Sequence, residues 1–322
     1  MRNLFLLFKL LTILLLLLTA ACSSLVPSRK EPSPPQYISA EQDGSLLSKF
    51  APLFIIEEPE KTYNLIGTPA LRTGSVNQPV AYIDPTRPSI YTMQRSFTVH
   101  GNSYRNLIYR VHFEKTPYRH LTAGKNVGLI IVVTLDASHN PRLITTVHTC
   151  GCYLGIIPTT HLPSTAYPKN WSVKEQRVYG ESLPGQISIP QDQAVTSLAF
   201  RLRGGTHRVM DVFWAGEEQL KAAQPAPLKS MQGLRQLPFG EQTDSFFETS
   251  GPRKGYVRNS HKPYERLLMS WWAFDWRIGE DKDFGPREQI GTIFYTSLKF
   301  WDRDESDMWN FSNFLDYWGW KL

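Results

Sequence analysis

Cysteine is scarce. Three thiols in 322 residues exclude the disulfide-dense scaffolds of small secreted domains. A dominant charge is also missing. The 35 Lys and Arg against 29 Asp and Glu leave a formal +6, and this falls to +4 once Arg2 and Lys9 are removed with the first 21 residues. So mild an excess in so long a chain argues against nucleic acid as a partner and fits a weakly basic envelope protein. The chain holds no G-x-G-x-x-G, P-loop, H-E-x-x-H or G-x-S-x-G, which sets aside nucleotide-dependent enzymes, common zinc proteases and typical serine esterases. No uninterrupted apolar run reaches the roughly 20 residues that a membrane-spanning helix needs. Aromatics, by contrast, are plentiful, with 9 Trp, 14 Tyr and 17 Phe, enough for a sizeable core in one large domain or two smaller ones.

The N-terminus has the grammar of an export signal. Arg2 gives a positive start, Lys9 interrupts an apolar stretch, and residues 10–18 are nearly all Leu and Ile. Small residues follow, ending in Thr19-Ala20-Ala21-Cys22. A short apolar run closed by small residues is a signal peptide rather than a span. The small-small-Cys ending resembles the lipobox of bacterial lipoproteins, although the family's usual Leu three places before the cysteine is Thr19 here, with Leu18 one step earlier. The resemblance covers the leader alone. It implies diacylglycerol on the Cys22 thiol, removal of residues 1–21, and acylation of the new amino terminus. Ser23, in place of Asp, implies transport to the outer membrane in a Gram-negative cell. Several acyl chains hold stably where one holds marginally, at about 0.8 kcal/mol per buried methylene. Residues 22–42 then read as a Pro- and Ser-rich tether.

Residues 43–322 read as a β-rich α+β body, sandwich-like, built from antiparallel sheets with a few helices. Residues 107–113 alternate, with Leu107, Tyr109, Val111 and Phe113 on one face and Ile108, Arg110 and His112 on the other. Residues 127–135 (VGLIIVVTL) are continuously apolar and read as a strand buried on both faces. They pair with an extended stretch, 143–152, through a turn at 137–140. A hairpin is expected around Gly204-Gly205, a two-residue turn that pairs Arg201 with Arg208 and Phe200 with Val209. That register puts Leu198, Phe200, Leu202, His207, Val209 and Asp211 on one face. A late strand is expected over 292–300, a short helix over 216–223, and a longer one near the C-terminus over 304–318, whose first turn gathers Asp304, Glu305 and Asp307. Residues 224–240 are loop-like and mark the one place for a subdivision; a single domain is preferred.

His148-Thr149-Cys150-Gly151-Cys152 is the most unusual local feature. On a strand its His and two Cys share a face. One reading is a disulfide, suited to an oxidising compartment and needing a bend at Gly151. Another is a zinc or copper site, for which a flat strand spreads the three residues over about 13 Å, too wide for one ion. His112, His120, His139 and His161 are further histidines that could join. The third is inert packing. Arg201, Arg203 and Arg208 fall on the outward face of the hairpin, an anion-binding candidate for a lipid headgroup or polysaccharide set against an ordinary solvated sheet face. The Trp-dense stretches 270–276 and 317–320 are read as core in preference to sugar-stacking platforms. Residues 279–286 (GEDKDFGP) miss the EF-hand spacing and read as a polar turn. His207 and Asp211, four apart on a strand, would lie about 13 Å from each other, so a hydrolase of envelope polymers is a remote option. The expectation is a non-enzymatic binding or assembly component held at the membrane by lipid, facing an envelope protein, polysaccharide or lipid headgroup. A thiol-redox or metal-binding protein is the alternative.

Overall fold

The middle of the molecule is decided by one strand. In a computed structural model that describes residues 33–75, 78–190 and 197–322, all of residues 126–135 are buried. The strands, in chain order, are β1 Gln36–Ala40, β2 Leu53–Ile56, β3 Thr68–Thr73, β4 Pro79–Asp84, β5 Ile90–Val99, β6 Asn102–Thr116, β7 Gly124–Leu135, β8 Pro141–His148, β9 Gly155–Pro158, β10 Glu175–Val178, β11 Glu181–Pro184, β12 Leu198–Leu202, β13 Val209–Trp214, β14 Gln224–Ala226, β15 Leu228–Ser230, β16 Leu237–Phe239 and β17 Gln242–Asp244. A six-stranded sheet runs β15-β5-β6-β7-β8-β9, and a five-stranded sheet runs β13-β12-β2-β1-β14. The first is antiparallel from β5 to β9 and the second is mixed.

The two sheets pack face to face, and the side-chain period of two explains how. Leu107, Tyr109, Val111 and Phe113 of β6, with Leu129, Ile131 and Val133 of β7, meet Phe54, Phe200 and Leu202 of the five-stranded sheet. The alternate residues Ile108, Ile130 and Val132 point the other way. They are covered by Phe246, Phe247, Phe284, Phe294, Met308, Phe311 and Phe314 from the last third of the chain. The six-stranded sheet is therefore the middle layer of three, and the continuously apolar β7 is what a strand covered on both faces requires. The expected β-rich α+β, sandwich-like architecture is present. The helices are α1 Leu46–Lys49, α2 Glu217–Lys221, α3 Pro263–Ala273, α4 Arg287–Ile290 and α5 Phe311–Tyr317, and Leu220 of α2 lies on the outer face of the five-stranded sheet.

Several expectations are corrected. Residues 36–40, assigned above to the tether, form β1 between β2 and β14. The loop-like stretch from residue 224 supplies β14 to one sheet and β15 to the other, so it joins the layers rather than dividing domains; Pro34–Leu322 forms one compact unit. The hairpin turns over four residues, with Arg203 bonded to Arg208 across its mouth. A bulge beside Arg201 then pairs Arg201 with Asp211 and Phe200 with Val212, because one extra residue in a ladder turns the following side chains over. Val209 stays inside, Val212 joins it, and Asp211 is exposed. Residues 292–300 form no strand, only a single bridge between Tyr295 and Asp307. The C-terminal helix is limited to α5, because Asp307 spends its carboxylate on the backbone N–H groups of Phe294 and Trp309, a local competitor of helix. The extended run after residue 143 ends at His148. Residues 1–32, with the leader and Cys22, lie outside the described residues. Among the described residues, no helix is long and apolar enough to cross a membrane.

Candidate functional site

The end of β8 turns sharply. The His148 N–H donates to the Cys152 carbonyl at 2.9 Å, and Gly151 N–H donates to His148 at 2.8 Å. Gly151 has φ +92°, and a Cβ there would strike the Tyr295 carbonyl oxygen, so glycine alone fits. The turn brings Cys150 and Cys152 together as a disulfide with Cα atoms 5.6 Å apart. The His148 imidazole lies beside them, and the nitrogen and the two sulfurs all lie within 4.8 Å of one another. His148 is buried, its Nε2 3.2 Å from the His207 carbonyl, its ring edge-on to Tyr153. Burial, with Lys262 nearby, holds its pKa well below the usual value, so the ring is neutral. None of His112, His120, His139 and His161 belongs to this group among the described residues. His112 instead accepts from the fully buried Arg110 at 2.9 Å.

The floor beneath this turn comes from 130 residues away. The stretch 279–286, expected to be a polar turn, buries Glu280, Asp281, Lys282 and Asp283. Lys282 Nζ donates to the Cys150 carbonyl at 2.7 Å and lies 4.2 Å above the Tyr295 ring. Its burial pushes its pKa down to about 8. Asp281 accepts from the Thr149 hydroxyl and faces Lys262 at 3.5 Å, with exposures of 1% and 3%. Burial works against the Lys262 charge, but the Asp281 and Glu265 carboxylates outweigh it and raise its pKa. Glu265, also buried, is pushed up by desolvation. Glu280 is held by Arg253, and Asp283 by Arg235 at 2.8 Å. Buried charges survive only when paired in this way.

The three hairpin arginines do not converge on an open anion site. Arg203 grips the buried Glu181 with both arms of its fork, at 2.5 and 2.7 Å. Arg208 reaches the same carboxylate at 3.1 Å, and Arg201 pairs with Glu57 at 3.4 Å. The carboxylates that such forks prefer are supplied from within. His207 and Asp211 do not pair: the His207 ring stacks on Phe113, 4.1 Å between centroids, its Nε2 meets the Tyr63 carbonyl, and Asp211 points to solvent.

The largest departure is α3. Trp320 is buried as expected of core, but the other Trp stretch is turned outward. Pro263 opens α3 at its first turn, where a missing N–H costs nothing, and Phe274 closes it in the left-handed region. Glu265, Ser270 and Ala273 face inward. Tyr264, Leu267, Leu268, Trp271 and Trp272, at helical spacing, face solvent. Leu267 is 74% and Trp271 72% exposed, and Phe274 and Trp276 continue the surface. Between α3 and the buried acidic stretch lies a groove of about 530 Å³ lined by Arg266, Leu267, Trp271 and Trp276, with Lys262 and Glu280 at its base. The apolar stripe at positions 264, 267, 268, 271 and 272 was a readable signal of a helix. Only its polar rear face, Glu265 and Ser270 against the charged floor, could have told which way it turns.

Comparison with protein-family models, curated proteins and solved structures finds no match to this chain.

Proposed function

We propose that this chain is a lipid-anchored component of the cell envelope that acts by binding rather than by catalysis, with the surface of α3 as its binding face. The observation that carries this reading is the outward stripe of Tyr264, Leu267, Leu268, Trp271 and Trp272. Contiguous exposed apolar surface of this kind marks an interaction site. The lipobox-like Thr19-Ala20-Ala21-Cys22 supports the anchor and, through Ser23, the outer membrane. The test joins two measurements. Mass spectrometry of the mature chain should find acyl chains on an N-terminal Cys22. A photoreactive amino acid at position 271 should form an adduct in intact cells, with a lipid or an envelope macromolecule. A free thiol at position 22 removes the anchor, and an unreacted position 271 in cells removes the binding face.

A second reading rests on the cluster of His148, Cys150 and Cys152. A dithiol reductant that breaks the Cys150–Cys152 bond, itself becoming a disulfide, leaves two thiols beside a neutral imidazole. Such a donor set suits zinc or copper. Stoichiometric zinc on the reduced protein, lost in Cys150→Ser, supports this reading. Two free thiols that take up no metal dismiss it.

A further inference from the structure

We infer that the occupant of the α3 surface is an anionic phospholipid bilayer, and that the helix lies flat among its headgroups. This deepens the binding reading above and rests on it for the anchor that keeps the chain at a membrane.

Length comes first. An 11-residue helix is about 16 Å long, far short of a span, so its apolar stripe can be satisfied by the interfacial layer but not by crossing. Helices that lie in that layer carry Trp, Phe and Leu on one side and basic residues beside them. Trp and Tyr favour the headgroup level because one end of the ring system is apolar and the other can meet water. The surface is also wider than the helix. Phe274 meets Phe300 at 4.9 Å, and Phe300 meets Trp301 at 4.8 Å, so a second aromatic ledge extends the same face.

Charge then separates a bilayer from other occupants. The carboxylates of α3 and of the stretch beneath it are turned inward or already taken. Glu265 is buried beside Lys262, Asp275 accepts from Tyr295, and Glu280 is held by Arg253. Asp302, next to the second ledge, accepts from Tyr317 and faces Lys299; beyond it Asp304, paired with Arg287, and Glu305 are exposed. Arg266 is exposed, packs over the Trp276 ring at 4.9 Å, and has no carboxylate partner among the described residues. Arg277 adds a second cation, partly exposed, without an acidic partner among them. What remains on the outside of residues 263–277 is aromatic, aliphatic and cationic, which complements anionic headgroups. A sugar platform would want paired acceptors and donors between its rings, and the exposed side chains of 263–276 offer no carboxylate or amide, only the Arg266 guanidinium, the Tyr264 hydroxyl and indole N–H groups.

Ser33, where the described chain begins, lies eleven residue steps after Cys22, and at about 3.3–3.6 Å per step the contour is at most roughly 36–40 Å, so an acylated Cys22 would keep the body close to the bilayer.

The test uses the full acylated chain in vesicles of phosphatidylethanolamine and phosphatidylglycerol whose acyl chains carry bromine, a short-range quencher of Trp emission. The wild type should float with the vesicles and be quenched. Leu267→Ser with Leu268→Ser, and separately Arg266→Glu, leave every Trp reporter in place. The double change should float equally and lose at least threefold of the quenching. Arg266→Glu should lose part of it, and less in vesicles of phosphatidylcholine alone. Unquenched emission from floating wild-type protein overturns the docking face while leaving the anchor intact. Protein that does not float overturns both. Equal quenching with and without phosphatidylglycerol removes the charge argument, and an unquenched, concentration-dependent dimer assigns the face to a second copy.

Discussion

Strand β7 and helix α3 both carry dense apolar runs, yet one is the most enclosed part of the molecule and the other the most open. Residues 126–135 are all buried, whereas Leu267, Trp271 and Phe274 are each exposed by 70% or more. β7 is almost continuously apolar from Val127 to Leu135, whereas α3 interleaves Glu265, Arg266 and Ser270 with its apolar residues, and their neighbours differ as well. β7 has β6 and β8 at its edges and an apolar layer over each face. α3 rests its rear face on Lys262, Asp281 and Gly279, a floor where only Glu265, Ser270 and Ala273 can settle. An apolar stripe cannot face a charged floor at acceptable cost, so it turns outward. For α3 the destination of the apolar stripe is set by the partner surface and could not be taken from the stripe itself.

The largest effect should come from breaking that floor. Lys262→Met leaves Asp281 buried without its cation, which costs about 3–5 kcal/mol. Adding Asp281→Leu should restore a good part of the loss, since removing both partners of a buried pair is far gentler than removing one. Chemical denaturation of the single and double variants measures this. If the single change is silent, the floor does not position α3 and the contrast with β7 needs another cause.

Acid should separate the two regions next. The neutral imidazoles His112, His148 and His207 sit on or against the middle sheet, and none lies on the outward face of α3. Desolvation holds His112 and His148 well below 6.5 and His207 down at about 3. A folded-state value below the unfolded one means that the fold binds the proton less well. Their support is complete above pH 6.5 and is lost as the pH falls from there, for His207 toward about 3, by at most about 1.4 kcal/mol per pH unit for each ring. Glu265 works in the opposite sense: its pKa is raised by burial, so its penalty is present at neutral pH and is relieved in acid. Three rings against two raised carboxylates, Glu265 and Asp307, predict a net loss between pH 6.5 and 4.5, read from denaturation midpoints. A flat profile would count against neutral imidazoles at the sheet.

The same contrast explains what could be read without coordinates. The faces of β6, the double burial of β7 and the β7–β8 pair follow from a period of two, which the residues themselves carry. The bend at Gly151 and the nearness of Cys150 and Cys152 were legible because the motif is local. Lys282, Asp281 and Lys262 were not, because they meet Cys150 and Thr149 from more than 110 residues away, and no spacing rule joins the two stretches. β1 hid in Pro- and Ser-rich composition, since five residues just after Pro34-Pro35 carry too little pattern. The layer after residue 231 was illegible for a different reason. It is held by contacts without a period, such as Arg95 donating to the Trp309 carbonyl at 2.6 Å while its guanidinium lies 3.3 Å above that ring.

The smallest effect on stability should be the most informative about function. Ile131→Ala in β7 removes a fully buried side chain and should cost about 2–5 kcal/mol. Trp271→Ser removes more carbon from α3, yet most of that surface is already in water, so the fold should lose no more than about 0.5 kcal/mol. If size alone governed, the order would be reversed. Binding should rank the two the other way: Trp271→Ser should weaken attachment of the α3 face, and Ile131→Ala should leave it unchanged in the molecules that remain folded. Denaturation, and lipid quenching of the Trp272 and Trp276 emission that both variants retain, give both rankings. A large stability loss in Trp271→Ser would mean that α3 packs its stripe against protein after all, and the outward face would then cease to be a binding surface.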